Sequence, residues 1–135
     1  MIDKIEHIGI AVSDLEAALT FYRDTLGLQT EIEEVPSQQV RVAVMPVGAT
    51  RVELLQSTTP EGPIARFIDK RGEGIHHLCL EVDDIEQAIA TLQAAGAQMI
   101  DSQPRLGAGG RRVAFVHPHS AHGVLIELSE RPSRT

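Results

Sequence analysis

His7-Ile8-Gly9-Ile10-Ala11-Val12-Ser13-Asp14-Leu15-Glu16 returns 70 positions later as His77-Leu78-Cys79-Leu80-Glu81-Val82-Asp83-Asp84-Ile85-Glu86. Each copy is followed by an apolar segment carrying a glutamate, Val52-Glu53-Leu54-Leu55 in the first half and Ile126-Glu127-Leu128 in the second. One histidine and one glutamate per copy give two imidazoles and two carboxylates. That is the composition of a metal site, and the duplication would build it.

Working outward from the repeat, the two halves show the same order of elements. Residues 4–12 alternate and then run apolar, as a buried strand does. Ser13 is placed to cap a helix, and Glu16, three residues on, completes a capping box. Leu15, Ala18, Leu19, Tyr22 and Leu26 follow at helical spacing until Gly27 stops the helix. In the second half Asp83 caps and Glu86 holds the box position. Ile85, Ala88, Ile89 and Leu92 form the stripe there, and Gly96 ends it.

The pattern then changes to period two. Residues 28–34, 40–45 and 51–55 read as strands, matched by 98–100, 112–117 and 123–128. Each half is therefore βαβββ. The chain reads as one domain over 1–135, with modules at 4–56 and 74–130. A segment over 57–73 joins them and carries a short helix from Pro63 to Arg71 with Ile64, Phe67 and Ile68 inward. Arg131 to Thr135 reads as a polar tail.

Strand alternation puts Glu53 and Glu127 on the face opposite Val52, Leu54, Ile126 and Leu128. If the first and last strands of a module are neighbours, its His and Glu converge on that face. A pseudo-two-fold between modules would bring both pairs to one point. A buried carboxylate must be paired, hydrogen-bonded or metal-bound, because bare burial is too costly.

Bulk composition sets limits. A net charge of −7 argues against a general nucleic-acid binder or a partner of anionic membranes. The single cysteine, Cys79, excludes an internal disulfide and fits a reducing, cytoplasmic setting. No signal peptide or transmembrane run is visible. The basic pairs Lys70-Arg71 and Arg111-Arg112 read most simply as solvated, with contact to an anionic ligand as the sharper alternative. The loop Gly107-Ala108-Gly109-Gly110 reads as a turn before a phosphate cradle.

Several segments carry a family resemblance: Val47-Gly-Ala-Thr-Arg-Val-Glu-Leu-Leu, Pro63-Ile-Ala-Arg-Phe-Ile, Gly72-Glu-Gly-Ile-His-His, Gly107-Ala-Gly-Gly with Phe115-Val-His-Pro, and Gly123-Val-Leu-Ile-Glu-Leu. Together with the His7 strand they resemble the vicinal oxygen chelate superfamily, and within it the methylmalonyl-CoA epimerases. The resemblance implies an α+β fold of two tandem βαβββ modules forming an incomplete barrel around a divalent metal. It implies His7, Glu53, His77 and Glu127 as ligands. Imidazole and carboxylate together suit Co²⁺, Mn²⁺, Ni²⁺, Fe²⁺ or Zn²⁺ without choosing among them. It further implies an acyl-CoA substrate, a homodimer and a 1,1-proton transfer through an enolate, with Glu127 as one acid/base group.

The second base is where the chain departs from that pattern. The resemblance points to position 37, which is Ser37 in Pro36-Ser37-Gln38-Gln39. Glu34 is one replacement, given a shift of register. His119 and His122, on the loop leading to Glu127, are others, because imidazole titrates near neutral pH. Two further classes stay open: another metal-dependent reaction on this scaffold, such as glyoxalase-type isomerisation or extradiol ring cleavage, and a metal-free sequestering module.

Overall fold

The computed structural model describes residues 1–132, so the last part of the polar tail expected over Arg131 to Thr135 lies outside the described residues. The chain forms two compact units, His7–His76 and Met1–Glu6 with His77–Thr135. The elements of the first half are β1 (Ile2–Ala11), α1 (Leu15–Leu19), β2 (Glu31–Val35), β3 (Val40–Val47), β4 (Thr50–Ser57) and the connecting α2 (Pro63–Arg71). Those of the second are β5 (Gly74–Val82), α3 (Ile85–Ala94), β6 (Arg105–Leu106), β7 (Arg112–Val116) and β8 (Ile126–Glu130). No helix among the described residues is long and apolar enough to cross a membrane.

Both halves wind alike. In the first, the strand order is β2-β3-β4-β1, with β1 parallel to β4 and the other pairs antiparallel. In the second it is β5-β8-β7-β6, with β5 parallel to β8 and the rest antiparallel. The first and last strands of each βαβββ module are therefore hydrogen-bonded neighbours.

One face of each sheet packs on its helix. Leu15 and Leu19 of α1 meet Val12, Ala43, Met45 and Leu54. Ile85, Ala88 and Ile89 of α3 meet Val82, Ala114, Val116 and Leu128. The helical stripe and the strand alternation thus interlock at matching positions of the repeat. Burying Leu-sized side chains of this kind contributes roughly 1.5–3 kcal/mol each.

Three local expectations change. The helix caps are Asp14 and Asp84, one residue beyond Ser13 and Asp83; their carboxylates accept from Ala17 N–H (3.3 Å) and Gln87 N–H (3.1 Å). Ser13 N–H is instead bound by Glu73 at 2.8 Å. The N–H of each first helical residue is taken from the end of the module's last strand: Leu15 by Gln56 (2.6 Å) and Ile85 by Glu130 (3.1 Å). Beyond α1 the chain continues as a π-helical stretch, Thr20–Thr25, and Gly27 (φ 77°) reverses it. The N–H of Leu28 then bonds Tyr22 O, so the next strand begins at Glu31.

The strand expected at 98–100 shrinks to a single bridge, Met99 with Val116. The Asp101 carboxylate accepts the N–H of Phe115 at 2.8 Å, taking a donor that a backbone carbonyl would need to extend the ladder.

Arg112 forks onto Glu130 at 3.0 and 2.9 Å and reaches Glu86. That guanidinium, with the N–H of Ile85, holds the Glu130 carboxyl below the usual carboxylate range. A lowered pKa contributes stability above the ordinary carboxylate pKa, and that contribution is lost as pH falls through the lowered value. Arg112→Ala should therefore lower the stability slightly at pH 7, since the pair is partly exposed. The difference from wild type should shrink in urea unfolding as the pH falls below the ordinary carboxylate range.

Candidate functional site

The face of each sheet turned away from its helix carries the repeated histidine and glutamate. In the first half, Gly9 of β1 pairs with Glu53 of β4, and His7 lies two residues earlier on the same face. Glycine adds no side chain opposite Glu53, and the imidazole Nδ1 of His7 comes within 3.3 Å of Glu53 Oε2. In the second half Cys79 of β5 pairs with Glu127 of β8, and His77 is again two residues earlier. Its Nε2 lies 3.0 Å from Glu127 Oε1. The register is the same in both halves. All four residues are at most 6% exposed.

The first pair has a cation beside it and the second an aromatic ring. Arg51, opposite His7 in the β1–β4 register, places Nη2 3.4 Å from Glu53. Phe115, the β7 partner of Glu127, sets its ring edge-on to His77 with centroids 5.9 Å apart. The guanidinium of Arg105 lies 5.4 Å from the centre of that ring and 3.4 Å from Asp101. Buried carboxylates need hydrogen-bonding or coordinating partners, and buried imidazole and carboxylate atoms of this kind could hold a divalent metal ion.

The basic pair at the start of β7 is ion-paired rather than simply solvated as read from sequence. The pleat sends Arg112 to the helix side, where it meets Glu130, and Arg111 to the other face. Arg111 Nη1 lies 3.0 Å from Glu81 and 3.8 Å from Glu6, both buried. Sequence reasoning missed Glu6, Glu81 and Arg51. For Glu81 the signal was present, since it sits four residues after His77 on a strand and so shares its face.

The remaining candidates are placed as follows. Glu34 pairs with Arg41 across β2–β3, while Ala43 and Met45, in phase with Arg41, pack on α1. Glu34 therefore sits on the helix side, opposite to Glu53, with no register shift to turn it. Ser37 lies in a 3-10 turn, Pro36–Gln38, closed by Gln39 in the left-handed region (φ 55°). His119 and His122 are exposed, on and just after the turn Pro118–Ala121. His117 anchors that turn, its Nδ1 accepting from His119 N–H at 3.0 Å. His76 packs edge-on against Phe67 at 4.9 Å. The Gly107 to Gly110 loop closes on itself through a bond from Gly107 N–H to Arg111 O.

The repeated sheet with one buried His–Glu pair per module belongs to a recognisable class. Residues 6–115 match the Glyoxalase/Bleomycin resistance protein/Dioxygenase superfamily, and the chain is a member of it. It is 41% identical over 133 residues to the ethylmalonyl-CoA/methylmalonyl-CoA epimerase of Cereibacter sphaeroides, covering 96% of this chain and 99% of that protein. Among solved structures, methylmalonyl-CoA epimerase from Mycobacterium tuberculosis aligns with a TM-score of 0.93 at 34% identity, covering 98% of this chain and 91% of that one. A methylmalonyl-CoA epimerase solved in complex with methylmalonyl-CoA and NH4+ gives the same TM-score and identity, covering 98% and 97%.

Proposed function

We propose that the protein is an acyl-CoA epimerase that interconverts the C2 epimers of methylmalonyl-CoA, with His7, Glu53, His77 and Glu127 as the ligands of one divalent metal. The observation that carries this reading is the shared register, which builds a buried imidazole–carboxylate pair twice by the same rule. The named relatives support an acyl-CoA substrate over ring cleavage or glyoxal isomerisation.

The C2 proton of such a thioester is flanked by a carboxylate and a thioester carbonyl, and its loss leaves an enolate. A divalent ion, when bound, supplies Lewis-acid stabilisation of that negative charge. The residues do the rest. Histidine and glutamate held in buried pairs are preorganised and lose little freedom on engaging a ligand. Glu127 holds or releases a proton at its carboxylate oxygen, beside His77. Phe115 walls the His77 ring, and Arg105 presents a cation at that wall for an anionic group of the substrate.

Incubation with methylmalonyl-CoA in D₂O tests the reading directly. Interconversion of epimers with deuterium entering at C2, both lost on chelation and restored by metal, is the expected result. Absence of exchange in metal-replete protein overturns it.

A further inference from the structure

We propose that Arg51 is a positioning residue that holds Glu53 in the metal-free protein and competes with an incoming ion for it, an assignment that rests on Glu53 being a metal ligand as read above. Arg51 thereby sets how tightly the ion binds. Arg51, His7 and Glu53 all belong to the His7–His76 unit.

The arrangement follows from β4. Residues two apart on a strand share a face, so Arg51 stands beside Glu53 on the side turned away from α1. The β1–β4 register sets Arg51 opposite His7 and Glu53 opposite Gly9. Guanidinium and imidazole therefore converge on one carboxylate oxygen. Glu53 Oε2 lies 3.4 Å from Arg51 Nη2 and 3.3 Å from His7 Nδ1.

A buried carboxylate left without a compensating group is costly. Glu53 is 3% exposed, and the guanidinium supplies the opposite charge at close range. The same charge opposes a divalent ion, because two cations drawn to one carboxylate repel each other where water screens them poorly. To coordinate an ion, Glu53 must share or give up its contact with Arg51. Arg51 is partly exposed, so its long side chain can move toward solvent while β4 keeps its register.

The second module breaks the repeat at this point. The residue two before Glu127 is Leu125, and the β7 partner of Glu127 is Phe115. A leucine cannot compete for a carboxylate. The two glutamates match in register and differ in what their own strand sets beside them.

The test titrates Mn²⁺ alone into the metal-stripped full chain by calorimetry and follows thermal unfolding with and without the ion. Arg51→Gln should bind Mn²⁺ about tenfold or more tightly than wild type, since it removes a like charge close to the ligand oxygen. Its metal-free form should melt below wild type, because Glu53 loses its cation, and its metal-induced rise in melting temperature should be larger. Arg51→Met, which keeps much of the aliphatic stem, should behave in the same way. Arg51→Lys keeps the charge and should stay within about threefold of wild type. A purely structural Arg51 would lower the metal-free melting temperature without tightening the ion. Equal or weaker Mn²⁺ binding in Arg51→Gln and Arg51→Met overturns the assignment while leaving Glu53 a ligand, and so does an Arg51→Lys variant as tight as Arg51→Gln. Glu53→Gln that binds Mn²⁺ as tightly as wild type overturns the ligand reading and the assignment together.

Discussion

Glu127→Gln should lose about 10³-fold or more in epimerase turnover, within the range for removing a positioned acid/base group. The fold should survive. Glutamine is close in size to glutamate, can still meet His77 at the 3.0 Å separation, and removes a buried charge rather than adding one. In the metal-free protein the melting temperature should stay near that of wild type. Adding metal should separate them. An ion at 100 times its Kd stabilises the native state by about 2.7 kcal/mol, and the variant should forfeit most of that. Thermal unfolding with and without Co²⁺ or Mn²⁺ reads the effect independently of any substrate. A variant that keeps both its turnover and its metal-induced shift removes Glu127 from the site.

Leu54→Ala and Leu128→Ala should each destabilise the protein by about 2–5 kcal/mol, the range for truncating a fully buried leucine. The two side chains are 0% and 1% exposed and occupy the same place in the two modules. Each follows its module's glutamate on the strand and packs beneath the helix, against Leu15 in the first half and Ile85 in the second. Urea denaturation should show a lower midpoint at unchanged slope. Losses under 1 kcal/mol would mean that the helix does not depend on this face.

The contrast between these substitutions follows the strand alternation. Adjacent residues on one strand serve stability and chemistry, because successive side chains point to opposite faces.

Much of this arrangement was legible in the sequence, for physical reasons. The stripe Leu15, Ala18, Leu19, Tyr22 has period 3.6, and the Val52-Glu53-Leu54 alternation has period two, so element type and inward face could both be read. The histidines and glutamates stood out because the repeat carried them together. Glu31-Ile32-Glu33-Glu34 was not legible in the same way. With three carboxylates in four residues no apolar alternation sets its phase, and only pairing with β3 shows that Glu34 lies behind the sheet. Ser13-Asp14 and Asp83-Asp84 each offer two cap-forming residues in succession, and the choice fell to tertiary bonds such as Ser13 with Glu73. Arg111-Arg112 looked like one basic patch and is two unrelated ion-paired groups, one on each face.

The two modules reach the same register across different lengths of chain: 46 positions separate His7 from Glu53, and 50 separate His77 from Glu127. The connecting loops have absorbed that difference while the ladders have not moved. Residues can therefore be inserted or removed at the tips of the hairpins without disturbing the imidazole–carboxylate geometry, whereas a single residue added inside β4 or β8 would turn the carboxylate to the helix side. For anyone wishing to give this scaffold a new substrate, the hairpin tips are the parts to exchange, and the strands between them are the chassis to leave alone.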